Sequence, residues 1–190
     1  MDQDKRKQIS DLNKLASTII QDPIYSNKTC QFIESLSNLD PTKSDQTLYN
    51  ETVIRCVGKI FNFYIDSREM VLSSDTVDQT WTAINQYRSH LIQWYDIVLD
   101  ELLSILRNEG FSLDIRKLSL ITLIKFVEEE GKFPFRPLVN KSGDDDDQLS
   151  FPKRLLTRII ESLISETNYN QELISIYATY YQFDDFIHLH

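Results

Sequence analysis

The chain has 190 residues, 41% of them hydrophobic, and a formal net charge of −9. That length supports one domain with a real core, and the acidic balance argues against a chain that grips nucleic acid alone, because phosphate binding needs a basic stripe. No apolar run reaches the roughly 20 residues of a membrane span, and "MDQDKRKQISDLNK" lacks the apolar centre of a secretory signal, so a soluble intracellular protein is predicted.

The densest basic cluster, Asp4 to Lys7, is diluted by acids. Cys30 and Cys56 are too few for a disulfide framework and too far apart for a zinc pattern. Three N-x-S/T matches, at Asn27, Asn50 and Asn140, read as accidental in such a chain.

With four glycines and five prolines, apolar residues recur at helical spacing. Ile9, Leu12, Leu15, Ala16, Ile19 and Ile20 form one face of a first helix, which Pro23 ends. A short second helix carries Cys30, Ile33 and Leu36. In a third, Leu48, Val53, Ile54, Val57, Ile60, Phe61 and Tyr64 make a broad stripe, and Gly58 within it marks close packing against a neighbour. The longest pattern begins near Asp75 or Thr76 and reaches Arg107, passing Trp81, Tyr87, Trp94, Tyr95 and Leu102, with Gly110 suited to a left-handed cap.

Ser112 or Asp114 then caps "SLDIRKLSLITLIKFVEEEG", with Gly131 as its stop. "KFPFRPLVNKSGDDDDQLS" reads as a loop, solvated and mobile over about 133–150, in which Ser142 precedes Asp145 as in an acid-directed kinase target. "FPKRLLTRIIESLIS" resumes helix with Pro152 in the first turn. "NQELISIYATYYQ" is another helix, and "DDFIHLH" begins one more. No strand alternation or hairpin signal occurs. The fold class is all-α, an irregular stack of antiparallel helical hairpins of HEAT-like α-solenoid type.

Chemistry is sparse. There is no glycine-rich phosphate loop, G-x-S-x-G or H-E-x-x-H. His90 reads as a packed or surface histidine. Asp184, Asp185, His188 and His190 are ligand types that zinc or iron accepts, and Asp184 and His188 share a helical face. Two ligands on one turn do not make a site, and Asp184 or Asp185 as a helix N-cap with Phe183, Phe186 and Ile187 packing accounts for the same residues. "DDDD" lacks the spaced ligands of a calcium loop. Tyr177, Tyr180, Tyr181 and Phe183 lack the surrounding cations of a base-stacking surface.

From Lys117 onward, "KLSLITLIKFVEEEG", "FPKRLLTRIIESLI" and "ELISIYATYYQFDDF" resemble the N-terminal half of the nucleolar complex protein 4 family, in the CCAAT-binding-factor and Mak-type group of ribosome-assembly proteins. Phe126, Glu130, Phe151, Pro152, Leu155, Tyr181, Phe183 and Asp185 carry the order, over about 75 residues; the first 116 fit by helical character alone. The resemblance implies an all-helical, non-catalytic scaffold of the nucleus and nucleolus that assists small-subunit processing and pre-rRNA maturation. It implies partnership with nucleolar protein 14 and the small-subunit processome, with no cofactor.

The expected organisation is one N-terminal helical domain over 1–190, with the family's C-terminal Noc-type domain absent. The alternatives are a generic helical adaptor and, more remotely, a metal-dependent hydrolase using the C-terminal Asp/His set. As the outermost layer of a stack, Ile174, Tyr177, Tyr181 and Phe186 form the expected interaction surface, partly uncovered, which predicts that this chain self-associates or is less stable than a longer one.

Overall fold

The computed structural model describes residues 3–43, 46–72, 79–133, 135, 153–164 and 170–184, with backbone alone for 79–82 and 181–184. Helix α1 (Gln3–Gln21) buries Ala16 and Ile19. Asp22 ends it: its carboxylate accepts from Ile24 N at 3.0 Å and opens a 3-10 helix, Pro23–Lys28. Helix α2 (Thr29–Ser37) buries Thr29, Phe32, Ile33 and Leu36, so Cys30 lies at the edge of the buried face, its thiol donating to Asn27 O at 3.0 Å.

Helix α3 (Thr47–Asp66) is the centre of the molecule. Residues buried on it run from Asn50 to Ile65 and include Gly58, although Leu48, at the outer end of the stripe, is 45% exposed. The helix closes without glycine. Arg68 takes φ 64, Arg68 N donates to Ile65 O at 3.1 Å and Glu69 N to Tyr64 O at 3.0 Å. This nested pair of bonds is the Schellman closure, which satisfies carbonyls the helix end leaves open.

Helix α4 (Gln79–Arg107) is followed by α5 (Leu113–Lys132), and Ser112 caps α5 by accepting from Ile115 N at 3.4 Å. The α5 helix runs one residue past Gly131. Gly110 does not adopt the expected left-handed backbone. Its role is steric: a Cβ there would lie 3.2 Å from Pro41 Cβ, and its N–H is held by Asn108 Oδ1 at 2.9 Å. The connection before α3 therefore sits against the α4–α5 turn. Helices α6 (Lys153–Ile164) and α7 (Gln171–Asp184) complete the described chain. Asn170 Oδ1 starts α7 by accepting from Glu172 N and Leu173 N.

Two boundaries differ from expectation. Helix α7 runs on through Asp184, the last described residue, so Asp184 does not open a new helix; neither Pro nor Gly separates it from Gln182. The predicted loop also begins inside the core: Phe133 packs partly buried and Phe135 is 5% exposed, since an aromatic ring gains more from burial than from the solvated turn assumed for it. Ser142 and the run Asp144–Asp147 lie outside the described residues.

No strand occurs among the described residues, and the helices divide into two layers. In one, α1 packs on α3, α3 on α5 and α5 on α7; in the other, α2 packs on α4 and α4 on α6. Across the layers, α2 meets α3, α4 meets α5 and α5 meets α6.

Helices α4 and α5 run antiparallel, because contacts climb one as they descend the other. Arg116 Nε donates to Leu106 O at 2.9 Å, Ser119 Oγ to Leu102 O at 2.7 Å, and farther along the Tyr95 and Phe126 rings stack edge-on at 5.2 Å. Arg116 and Ser119 are buried. The guanidinium places a cation on a carbonyl at the C-terminus of α4, where the helix dipole favours it.

Tyr95 is the hub of the aromatic core. Its ring meets Phe61 of α3 at 5.6 Å, Phe126 of α5 and Phe135 beyond α5, while its hydroxyl donates to Glu130 at 2.7 Å. Tyr64 and Thr29 share a buried hydroxyl–hydroxyl bond of 2.8 Å between α3 and α2. Burial pushes the Tyr64 phenol up to about 12, against the lowering effect of Thr29. At the margin, Arg158 of α6 pairs with Asp100 of α4, and Lys117 of α5 with Glu172 of α7.

Candidate interaction surfaces

The tyrosine-rich face predicted near the C-terminus is only partly in view. Ile174 and Tyr177 stand one helical turn apart on α7, half-buried, both packed against the core. The α7 helix rests on α5, where Leu173, 1% exposed, is its deepest residue. The Tyr181 side chain and Phe186 lie outside the described residues. So do the Asp184 side chain, Asp185, His188 and His190, the residues weighed as a metal-ligand set.

Among the described residues no group of three His, Cys, Asp or Glu is placed to hold a metal ion. His90 lies exposed on α4 with Nδ1 2.8 Å from Gln86 O, a local helical contact. Cys56 is buried, and that burial pushes its thiol up. Asn50 is 3% exposed on α3, which closes that glycosylation match to an enzyme. No described helix is long and apolar enough to cross a membrane.

A second surface had no single motif to announce it. Between α3 and α5 runs a groove of about 580 Å³. Glu51, Arg55, Gly58, Lys59 and Asn62 line it from α3. From α5 come Asp114, Lys117, Leu118, Ile121, Thr122 and Lys125. Each set recurs every three or four residues, so each is one helical face.

The floor forms where the helices come closest. A Cβ on Gly58 would stand 3.1 Å from Thr122 Cγ2, so glycine permits the approach predicted for it. The rim carries four cations against two carboxylates, on a chain whose net charge is −9. Arg55 lies 3.9 Å from Glu51, and Lys117 is engaged by Glu172. Lys59 and Lys125 are exposed and have no ion pair among the described residues. Asn62 has a buried Oδ1 without a hydrogen-bond partner among the described residues. The sequence signal was the i,i+4 charges Glu51, Arg55 and Lys59 beside Gly58. It becomes a site only when α5 is laid alongside.

Fold and surfaces together define the class, an all-α chain whose helices pack in two layers and whose distinctive exposed features are surfaces between helices. Within that class, the chain is similar to nucleolar complex protein 4. Homolog A of Xenopus laevis is 26% identical over 190 residues, covering 96% of this chain and 34% of its own length. Homolog B of the same species is 26% identical over 92% of this chain, and the Danio rerio homolog 24% over 92%. The resemblance read from Lys117 onward thus extends over nearly all of the chain, including most of the first 116 residues. The chain spans about a third of the length of these relatives. No family model matches it, and no solved structure does.

Proposed function

We propose that this chain is the N-terminal helical part of a nucleolar ribosome-assembly protein, acting as a non-catalytic scaffold in small-subunit biogenesis. The observation that carries the reading is the similarity to three nucleolar complex protein 4 homologues over 92–96% of the chain. The relatives' name supports a nucleolar location and a role within a protein complex. The two-layer packing supports a single HEAT-like helical domain over 1–190, a form that offers long surfaces rather than a catalytic cleft.

The finer reading names nucleolar protein 14 and the small-subunit processome as partners, engaged through the whole protein. Within this chain, the α7 face of Ile174 and Tyr177, continued by Tyr181 and Phe186, is the proposed contact. Affinity purification of the tagged whole protein from nuclear extract tests this. Recovery of small-subunit pre-ribosomal proteins is the expected result; their absence, or recovery of large-subunit precursors alone, would overturn it.

A further inference from the structure

The α3–α5 groove combines three properties that together select a ligand. Its rim offers the exposed ammonium groups of Lys59 and Lys125, which have no ion pair among the described residues. Its floor is apolar, made by Gly58, Leu118 and the Thr122 methyl. Asn62 lines the groove, and its Oδ1, closed to solvent as the side chain stands, lacks a donor among the described residues; rotation of the amide would turn this acceptor, costly to leave unmade, toward a ligand that donates.

These properties disfavour a nucleic-acid strand. A ribose 2′-OH or a base amino group could donate to Asn62, but a phosphodiester backbone gains nothing from an apolar floor. No aromatic side chain among the described residues lines the groove to stack a base. A polypeptide answers all three features with its backbone N–H, an apolar side chain and flanking carboxylates. The chain's overall charge of −9 would repel such a segment at long range. At physiological ionic strength that repulsion is screened beyond about 8 Å, so the local cations govern the docked segment. One carboxylate–lysine contact already exists at this surface, Glu172 on Lys117.

We propose that the groove between α3 and α5 binds an acidic peptide segment of a partner protein. Its carboxylates rest on Lys59 and Lys125, an apolar side chain lies over Gly58 and Thr122, and a backbone N–H donates to Asn62. This inference does not depend on which complex the protein serves.

The test is selection of a random 12-residue peptide phage library on the 190-residue chain. A counter-selection uses the Lys59→Glu/Lys125→Glu variant, whose exposed positions leave the core intact. The expected result is enrichment of sequences that alternate acidic and apolar residues. The best peptide should bind at least tenfold more weakly to the double variant, and should shift the amide resonances of Gly58 and Thr122. Asn62→Leu should weaken it at least threefold without lowering the melting temperature. Enrichment of basic or uncharged sequences, equal binding to the double variant, no enrichment, or tighter binding of a 12-nucleotide uridine RNA than of any selected peptide each overturns the proposal.

Discussion

Replacing Gly58 by alanine sets two opposed effects against each other at the closest approach of α3 and α5. In an open helix the change would stabilise by about 1 kcal/mol, through helix propensity. Here the new Cβ would stand 3.1 Å from Thr122 Cγ2. Thr122 cannot simply rotate away, because its hydroxyl donates to Leu118 O at 2.8 Å and the residue is buried. Overpacking of this kind costs about 2 kcal/mol, so Gly58→Ala should lose about 1 kcal/mol net, taking about 1 kcal/mol for the propensity gain.

Thr122→Ser alone removes the obstructing methyl and should cost about 0.8 kcal/mol. In the double variant the clash disappears while the propensity gain stays, so its stability should return to within about 0.5 kcal/mol of the starting protein. The coupling between the positions is then about 2 kcal/mol, within the range for residues in contact. Urea unfolding followed by circular dichroism at the helical band measures all four proteins. If the two single losses simply add, glycine is not there to admit Thr122 and the reasoning about this interface fails.

Arg68 carries a left-handed backbone, so Arg68→Gly should stabilise by about 1 kcal/mol and raise the melting temperature by about 2–4 °C; a lower melting temperature would mean the arginine side chain matters more than its backbone. Because the Tyr64 phenol ionises at about 12 in the folded chain and near its ordinary value of 10.0 when unfolded, its contribution is complete below pH 10 and is lost as pH rises toward 12. The loss should reach about 1.4 kcal/mol at pH 11, and Tyr64→Phe, compared at pH 8 and pH 11, should remove that part of the alkaline slope. Arg116→Met leaves the Leu106 carbonyl without its charged donor and should cost about 2 kcal/mol; unchanged thermal unfolding would show that the carbonyl finds another partner. Light scattering on the 190-residue chain at increasing concentration examines the α7 face, for which reversible self-association is expected and a strictly monomeric chain would count against it.

Much of the fold was legible in the sequence because helices obey a local rule. A period of 3.6 residues, interrupted by few glycines and prolines, located every described α-helix, and Val53, Ile54, Val57, Ile60, Phe61 and Tyr64 lie buried as the broad stripe implied. Gly58 could be read as a contact point because an interior helical glycine is costly unless something comes close. The helix ends were read less well. Arg68 occupies a position that composition rules assign to glycine, and Gly110 is small for the sake of Pro41 rather than for its own backbone.

Only the tertiary structure decided what meets what. Phe32 was not singled out by spacing, yet it is 0% exposed because α2 lies across α3. Phe135 belongs to a segment that reads as loop and is held by Tyr95 of α4, an element far from it in the chain. The groove is the clearest case. Its two walls are separated in sequence by the whole of α4 and become neighbours because alternate helices share a layer. Periodicity determines which residues of a helix face inward, since that depends on the helix alone. Which helix lies opposite, and what charge and shape the seam between them presents, depends on packing among distant segments, and so it emerges only when the chain is folded.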